Sequence, residues 1–305
     1  MSLYLKYRPQ SLDEVAGNED VIQSLKSMIE DRENAPHSFL FTGPTGCGKT
    51  TLARIVAREL GCAGNDYREI DSADFRGIDM VREIRKQSQF RPLEGSARVW
   101  LIDECHKMTN DAQNALLKAL EDTPDHVYYI LATTDPQKLI STIKGRCSTF
   151  AVNPLSERQT VRLLRHVSKA EDAKPAKEVY QQIYQDSFGH PRNALQILDQ
   201  VLRVEPEKQL EVARRSAEEQ SQSIELCRAL IGNEGGWKNV STILNGLKNE
   251  DAESIRRHVL GYASSVLLKK DHERAGLVME EFIEPFYNTG FPGLVFACYS
   301  VIKAG

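Results

Sequence analysis

Short apolar runs alternate with helical patterns over the first half of the chain. The runs at 38–42, 98–102 and 127–132 are continuous and mainly apolar, which predicts strands buried on both faces. Segments 50–60 and 110–120 instead repeat their apolar residues at the spacing of a helix. Strands that alternate with helices predict a parallel sheet covered by helices on both sides, and hence an α/β fold.

The strand pattern ends after Pro154, and the rest of the chain has helical periodicity. Helices are predicted at 157–168, 174–187 and 191–204, and Glu205-Pro206 then interrupts the pattern. The prediction is therefore an α/β domain at 1–154, a small helical domain at 155–206 and a helical C-terminal domain at 207–305.

Composition and charge narrow the classes of function. Of 305 residues, 41% are hydrophobic, and no apolar run reaches the roughly 18–20 residues of a membrane span. The first residues lack the apolar segment of a signal peptide. The net charge of −4 gives no general attraction to nucleic acid, so any DNA contact must be local.

Six cysteines without a C-x-x-C pair predict free thiols and no zinc, and we expect a cytoplasmic protein.

A phosphate-binding loop is predicted between the first strand and the following helix. Residues 43–50 read GPTGCGKT and fit G-x-x-x-x-G-K-[ST] at every fixed position. Glycines let the backbone approach phosphates, and the start of the helix favours an anion. Lys49 is expected at the β and γ phosphates, and the Thr50 hydroxyl at Mg²⁺. The predicted nucleotide contacts here are Gly43, Pro44, Thr45, Gly46, Cys47, Gly48, Lys49, Thr50 and Thr51.

Two acidic residues follow the strand at 98–102. Asp103 is predicted to hold Mg²⁺, largely through water, and Glu104 to activate the attacking water as a general base. Two adjacent acids after a strand also cap helices, and the phosphate loop about fifty residues upstream favours the functional interpretation. Thr133-Thr134-Asp135 follows the third strand, where it is either an ordinary turn or a contact to the γ-phosphate.

Several motifs occur in a fixed order along residues 5–200 and carry a family resemblance. They are Tyr7-Arg8-Pro9, Val15-Ala16-Gly17, the phosphate loop, DECH at 103–106, NALLKALE at 114–121, ILATTDPQKL at 130–139 and Gly145-Arg146-Cys147. The set resembles AAA+ sliding-clamp loader ATPases, a family that includes bacterial DNA polymerase III gamma subunits, replication factor C small subunits and phage loader subunits.

The resemblance implies an architecture and a function. The fold would be a P-loop AAA+ domain with a helical lid and a helical collar for oligomerisation. ATP and Mg²⁺ would be bound, and hydrolysis would be stimulated by DNA and clamp. The partners would be other loader subunits in a pentamer, a ring-shaped sliding clamp and primer–template DNA at the replication site, with no membrane.

The resemblance also assigns individual residues. Thr134, with or without Thr133, would be sensor 1; Arg192 would be sensor 2; and Arg146 would be an arginine finger that acts on a neighbouring subunit's ATP. The adenine pocket would be formed by Tyr7, Arg8, Pro9, Val15 and Gly17. The sequence departs from the family pattern at Gly145, where a serine is usual, and in having only Cys62 where bacterial gamma subunits carry a zinc module.

A basic segment at 76–91 holds five basic and two acidic residues. It is interpreted as either a DNA-facing helix or a solvated charged one. The predicted DNA contacts are Arg76, Gly77, Ile78, Arg82, Thr109 and Asn110. Phe90 is either a clamp contact or a core residue. The aromatic residues after 281 either pack their own helices or form a collar between subunits.

Two other functions remain open from sequence alone. One is a ring-shaped AAA+ DNA translocase, such as a Holliday-junction branch-migration ATPase. The other is a loader subunit without enzymatic activity, against which Lys49, Thr50, Asp103 and Glu104 argue because the whole hydrolytic set is present.

Overall fold

The computed structural model describes residues 2–31, 34–72, 77–213, 222–232, 235–248, 250, 252–268, 271–286 and 289–304. The chain divides into two compact units, Met1–Pro206 and Glu207–Gly305. The predicted α/β and small helical domains share the first unit. Arg76 and Tyr287 lie outside the described residues.

The first unit is built on a five-stranded sheet in which every pairing is parallel, which confirms the predicted α/β class. The strand order is β2-β3-β4-β1-β5. The carboxyl ends of β1, β3 and β4 therefore lie side by side at one edge of the sheet. The strands are β1 Ser38–Thr42, β2 Cys62–Asp71, β3 Ala97–Asp103, β4 Val127–Thr133 and β5 Ser148–Ala151.

The sequence analysis missed the two edge strands, β2 and β5. Most residues of β2 are exposed or half-buried, and β5 has only four residues, so neither forms a continuous apolar run. Every residue of β4, in contrast, is buried. An edge strand pairs on one side only and keeps polar side chains towards water.

Helices cover both faces of the sheet. On one face, Phe39 and Phe41 pack with the helices that flank the phosphate loop, and on the other Leu40 and Tyr129 pack with the helices after β2 and β3. The helices of this part are α1 Leu3–Lys6, α2 Glu19–Glu30, α3 Lys49–Glu59, α4 Ile78–Ser88, α5 Asn110–Glu121 and α6 Ser141–Lys144.

Three further helices complete the first unit, and we refer to them as the lid. They are α7 Glu157–Ala170, α8 Lys177–Ser187 and α9 Pro191–Val201. Ser156 and Gln159 form a capping box that starts α7. The helix predicted from 174 begins three residues later, because Pro175 keeps the residue before it out of the helical conformation. Gly189 has φ +73°, and a Cβ there would lie 2.0 Å from the Leu155 carbonyl oxygen.

The second unit is helical. Its described helices are Gln222–Gly232, Gly236–Gly246, Ala252–Leu267, Glu273–Phe282 and Gly290–Ala304. Phe282 and Phe286 are buried in its core, whereas Phe296 and Tyr299 are exposed. Packing therefore accounts for the first two aromatic residues, and Tyr299 makes an edge-on contact with the Trp237 ring at 5.1 Å between centroids, whereas Phe296 remains 70% exposed. Within the described parts of both units, no helix is long and apolar enough to cross a membrane.

A buried carboxylate organises the loop between α4 and β3. The Asp66 side chain is fully buried and accepts hydrogen bonds from the backbone N–H groups of Leu93, Glu94 and Gly95 and from Arg98. Burial alone would raise the pKa of Asp66, but these donors outweigh that effect and lower it to about 2.

The same network fixes the end of α4. Arg98 donates to the carbonyl oxygens of Gln87 and Arg91. His126 Nε2 donates to the carbonyl oxygen of Phe90 over 3.0 Å. The backbone that carries Phe90 is thus held from two directions.

We predict that Asp66→Asn lowers the free energy of unfolding by roughly 2 kcal/mol at pH 7, because the ionised carboxylate is stabilised only in the folded state. Since the folded pKa lies below the unfolded one, this stabilisation is complete above about pH 4 and is lost towards pH 2. Urea unfolding at pH 7 and pH 3 measures the effect, with exposed Asp125→Asn as control. Equal destabilisation by Asp66→Asn and Asp125→Asn would contradict this account.

Candidate active site

The phosphate loop connects β1 to α3 through three glycines in the left-handed region. Gly43, Gly46 and Gly48 have φ values of +140°, +81° and +104°. A Cβ at Gly43 would lie 2.1 Å from the Val152 carbonyl oxygen, so only glycine fits there. A small cavity opens above the loop, and its lining residues are Thr45, Gly46, Gly48, Lys49, Thr50, Thr51, Asp103, Glu104 and Arg192.

Lys49 is only 5% exposed and lies within this loop. Its Nζ donates to the carbonyl oxygens of Gly43 and Pro44 at 2.8 and 3.0 Å. Burial lowers the pKa of Lys49, and the carboxylates of Glu104 and Asp103 act in the opposite direction. The ammonium group is therefore held by neutral carbonyls and offers its charge to an anion in the cavity.

Thr50 and Asp103 meet across the cavity. The Thr50 hydroxyl donates to Asp103 Oδ2 over 2.8 Å, and Asp103 Oδ1 accepts from the backbone N–H of Glu104. Two oxygen ligands at right angles on Mg²⁺, with bonds of about 2.0–2.1 Å, lie about 2.9 Å apart. The hard oxygen atoms and their spacing fit this ion.

Glu104 has φ +47°, a conformation that is costly for a residue with a side chain. Its Oε2 accepts from the Thr134 hydroxyl at 3.2 Å and lies 3.2 Å from His106 Nδ1. The same nitrogen lies 3.0 Å from Thr133 Oγ1. The structure thus brings together Glu104 and the predicted Thr134, and adds His106, the last residue of the DECH motif, to which the sequence analysis gave no role.

A second cavity of about 310 Å³ adjoins the loop, a volume within the range of small-molecule sites. Its lining includes the predicted Tyr7, Arg8, Pro9 and Val15, and Cys47 of the loop. Gly17 lies beside the cavity instead, where a Cβ would meet Leu155, just before the lid, at 2.5 Å. The lid contributes Leu163, His166, Val167, Pro191 and Leu195. The sequence analysis missed all five, because most of them belong to helical apolar stripes, which read as core.

Arg192 lies at the start of α9 and lines both cavities, and its backbone N–H donates to the Gly46 carbonyl oxygen over 3.4 Å. The pKa of Arg8 is lowered, first by burial and then by the positive charges of Arg54 and Arg192. Positive charges that repel one another around a cavity indicate a site for an anion. Glu171 of the lid accepts hydrogen bonds from Lys6 and Tyr7, which ties the lid to the N-terminal segment.

Arg146 lines neither cavity and is exposed at the end of α6. Its guanidinium contacts the Glu121 carboxylate and donates to the Thr142 carbonyl oxygen over 3.1 Å. Gly145 has no positive φ, and a Cβ there would meet only ordinary contacts, so a serine would fit.

The described residues predicted to bind DNA lie at two helix starts. Gly77 precedes α4 without a side-chain cap, and Ile78 is half-buried. Arg82 is exposed and paired with Asp79 over 2.8 Å. At the start of α5 the Thr109 hydroxyl accepts from the Ala112 N–H and so caps the helix, with Asn110 exposed beside it.

All six cysteines lie in described residues and have free thiols. Across the described residues no group of three or more His, Cys, Asp and Glu side chains is arranged to hold a metal ion.

Known proteins resemble this chain in sequence and in fold. The sequence model of the family described as DNA polymerase III, delta subunit, matches residues 64–156. The DNA polymerase III subunit gamma/tau of Mycobacterium tuberculosis is 36% identical over 225 residues, which cover 66% of this chain and 39% of that protein. The replication factor C small subunit of Aeropyrum pernix is 37% identical over 199 residues, with coverage of 63% and 60%. The chain thus matches less than two thirds of each relative's length.

Among solved structures, the Holliday junction branch migration motor RuvB of Thermotoga maritima superposes with a TM-score of 0.61. The sequence identity is 21%, and the match covers 80% of this chain and 86% of RuvB. At that identity the similarity concerns the fold alone. The strand order, the phosphate loop with its acidic partner strand, and the related sequences together support the resemblance of this chain to AAA+ clamp loader subunits.

Proposed function

We propose that this chain is an ATP-hydrolysing clamp loader subunit, which opens a ring-shaped sliding clamp and loads it onto primer–template DNA during replication. The observation that carries the ATPase proposal is the convergence of Lys49, Thr50, Asp103 and Glu104 on one cavity at the sheet edge. The clamp and the DNA are proposed from the related replication proteins.

The phosphates of ATP would occupy the cavity above the phosphate loop. Lys49 would stabilise the β and γ phosphates with its charge, and Thr50 and Asp103 would hold Mg²⁺, which supplies charge neutralisation when bound. A water oxygen would attack the γ-phosphorus, and Glu104 would accept the proton of that water. The bond between the γ-phosphorus and the bridging oxygen would break, which releases ADP and phosphate.

The base and ribose of ATP would occupy the 310 Å³ cavity between the N-terminal segment and the lid. Its tyrosine, valine and leucine side chains suit a flat heteroaromatic ring. Arg192 would contact the γ-phosphate, because it lines both cavities and belongs to the lid. Release of the γ-phosphate would remove this contact and so weaken the connection between the lid and the phosphate loop.

Arg146 would act on the ATP of a neighbouring subunit. Its exposed position, away from both cavities of its own subunit, supports an action in trans. A guanidinium that reaches a γ-phosphate stabilises the charge of the transition state. Neighbouring subunits in a ring or spiral, with a pentamer as the proposed assembly, would each supply this residue to the next.

The starts of α4 and α5 would contact the DNA backbone. Both present N-terminal turns at the surface, and Arg82 on α4 adds an exposed positive charge. Such contacts read the shape of a duplex and carry no sequence information. The pairing of Arg82 with Asp79 partly neutralises this surface in the free subunit.

The segment after α4 would contact the clamp. The sequence left open whether Phe90 belongs to the core, and the structure shows that it does not, because its side chain is 62% exposed. Leu93 is 80% exposed. Two large apolar side chains at the surface are costly in water and are typical of an interaction site. The Asp66 network holds their backbone in place for a partner.

The first test concerns ATP. Lys49→Ala should abolish tight ATP binding, because it removes the charge on the β and γ phosphates. Glu104→Gln should keep ATP binding and stop turnover, because Thr50 and Asp103 remain. Equilibrium binding of a fluorescent ATP analogue and phosphate release measure the two effects. Wild-type turnover by Glu104→Gln would refute the general-base assignment.

The second test concerns Arg146. Arg146→Ala should bind ATP almost normally but hydrolyse it at least tenfold more slowly, whereas exposed Lys144→Ala on the same helix should not. Subunits with Lys49→Ala and subunits with Arg146→Ala should partly restore turnover when they are mixed, because some interfaces pair an intact loop with an intact arginine. Mixed assemblies that form without recovery would exclude action in trans.

The third test separates a loader from a translocase. ATP turnover of the assembled chain with partner subunits should rise most when primer–template DNA and clamp are both present, without strand separation. Phe90→Ala should lose the clamp-dependent part. Arg82→Ala should lose the DNA-dependent part, and Arg203→Ala, which removes an equally exposed and paired arginine, should not. Branch migration without clamp stimulation would instead favour the translocase.

A further inference from the structure

We propose that His106 is a positioning residue for Glu104: its neutral imidazole donates the Nδ1–H to Glu104 Oε2 and fixes that carboxylate beside Thr134. This inference rests on the proposed ATPase function and adds a residue to it. Among the described residues, His106 Nδ1 is hydrogen-bonded to Thr133 and lies beside Glu104, and it has no hydrogen bond to the phosphate loop or to Asp103, so its effect on the site passes through Glu104.

The local fold holds the imidazole firmly. His106 belongs to a short 3₁₀ turn, Cys105–Lys107, that directly follows Glu104, and the Cys105 side chain beside it is fully buried. The His106 side chain is only 11% exposed. A ring fixed on such a turn holds its partner with little loss of rotational freedom, which is what precise placement of a catalytic group requires.

The neighbours of Nδ1 determine which nitrogen carries the proton. Nδ1 lies 3.2 Å from a carboxylate oxygen, Glu104 Oε2, and 3.0 Å from Thr133 Oγ1. An unprotonated Nδ1 would direct its lone pair at the negative carboxylate, which is repulsive. The Nδ1–H tautomer instead places the positive end of the N–H dipole 3.2 Å from the carboxylate, which is favourable. Thr133, fully buried and bonded to the Asp135 N–H, keeps the ring in this orientation.

Two side chains meet at one oxygen of Glu104. The Thr134 hydroxyl donates to Oε2 over 3.2 Å, and His106 Nδ1 lies 3.2 Å from the same oxygen, which leaves Oε1 to receive the proton of the attacking water. A carboxylate that can rotate freely spends part of its time away from the water. Fixing it in one orientation raises the fraction of time in a reactive geometry.

The charge state of His106 gives this role a signature in pH. Burial lowers the pKa of His106, so the ring is neutral at pH 7; the carboxylates of Glu104 and Asp135 raise that pKa, and Lys138 and Lys107 lower it. In acid the ring becomes an imidazolium. Its positive charge would stabilise the negative charge that Glu104 must lose when it accepts a proton, so turnover should fall as the ring becomes charged.

The test compares two substitutions at this position. His106→Leu removes the donor and should lower kcat roughly tenfold or more, with KM and ATP binding changed less than twofold. His106→Asn places an amide N–H close to the position of Nδ1 and should recover most of kcat. Its kcat should also persist to lower pH than that of the wild type, because an amide does not titrate. His37→Asn serves as control, because His37 precedes β1 and so lies at the other end of that strand from the phosphate loop.

Three outcomes would overturn the inference: wild-type kcat in His106→Leu, equal losses in the Leu and Asn variants, or an unchanged acid limb in His106→Asn. If His106→Leu fails to fold, the pH profile of His106→Asn decides alone. Glu104→Gln separates the two proposals. Sustained turnover in that variant would refute the general base itself, whereas its loss together with normal His106 variants would refute only the positioning role.

Discussion

The parallel register of the three central strands is the constraint on which the site depends. Thr42 pairs with Thr133 and Ile102 pairs with Leu131, so the ends of β1, β4 and β3 lie at nearly the same level. The phosphate loop, Thr134 and the acidic pair Asp103-Glu104 each begin within a residue or two of that level. A shift of one residue in any strand would turn its last side chain to the other face of the sheet. The buried apolar faces of β1 and β4 prevent such a shift, and so the core determines the geometry of the chemistry.

Much of this arrangement follows from the sequence because each central strand is an unbroken apolar run that ends in a polar residue. Such runs indicate both the strand and the end of the strand where polar residues gather, so the sequence could predict that Lys49, Thr50 and Asp103 lie close together. The polar edge strand β2 had no such mark, nor did the four-residue β5. Both strands depend on pairing with a neighbour, which is a property of the folded chain.

The lid shows a different limit. Leu163 and Val167 form an ordinary helical stripe, and nothing in the sequence separates a stripe that fills a core from one that lines a cavity. The sequence did not reveal the proposed role of His106 for a related reason. That role depends on the carboxylate of Glu104, two residues away, and on Thr133, 27 residues further along the chain. Phe90 was left open between core and surface, since amphipathic spacing at the end of a helix fits both.

The ion pair between Arg146 and Glu121 affects when ATP can be hydrolysed in the proposed assembly. An exposed ion pair of this kind contributes about 0–1 kcal/mol, so leaving it costs little, and a phosphate in a dry interface is a far stronger partner for a guanidinium. In the single subunit, Arg146 therefore pairs weakly with Glu121. In the proposed assembly, the ATP of a docked neighbour would replace Glu121 as the partner of Arg146 at almost no cost. Glu121 would thus hold Arg146 in the free subunit, and ATP hydrolysis would depend on assembly.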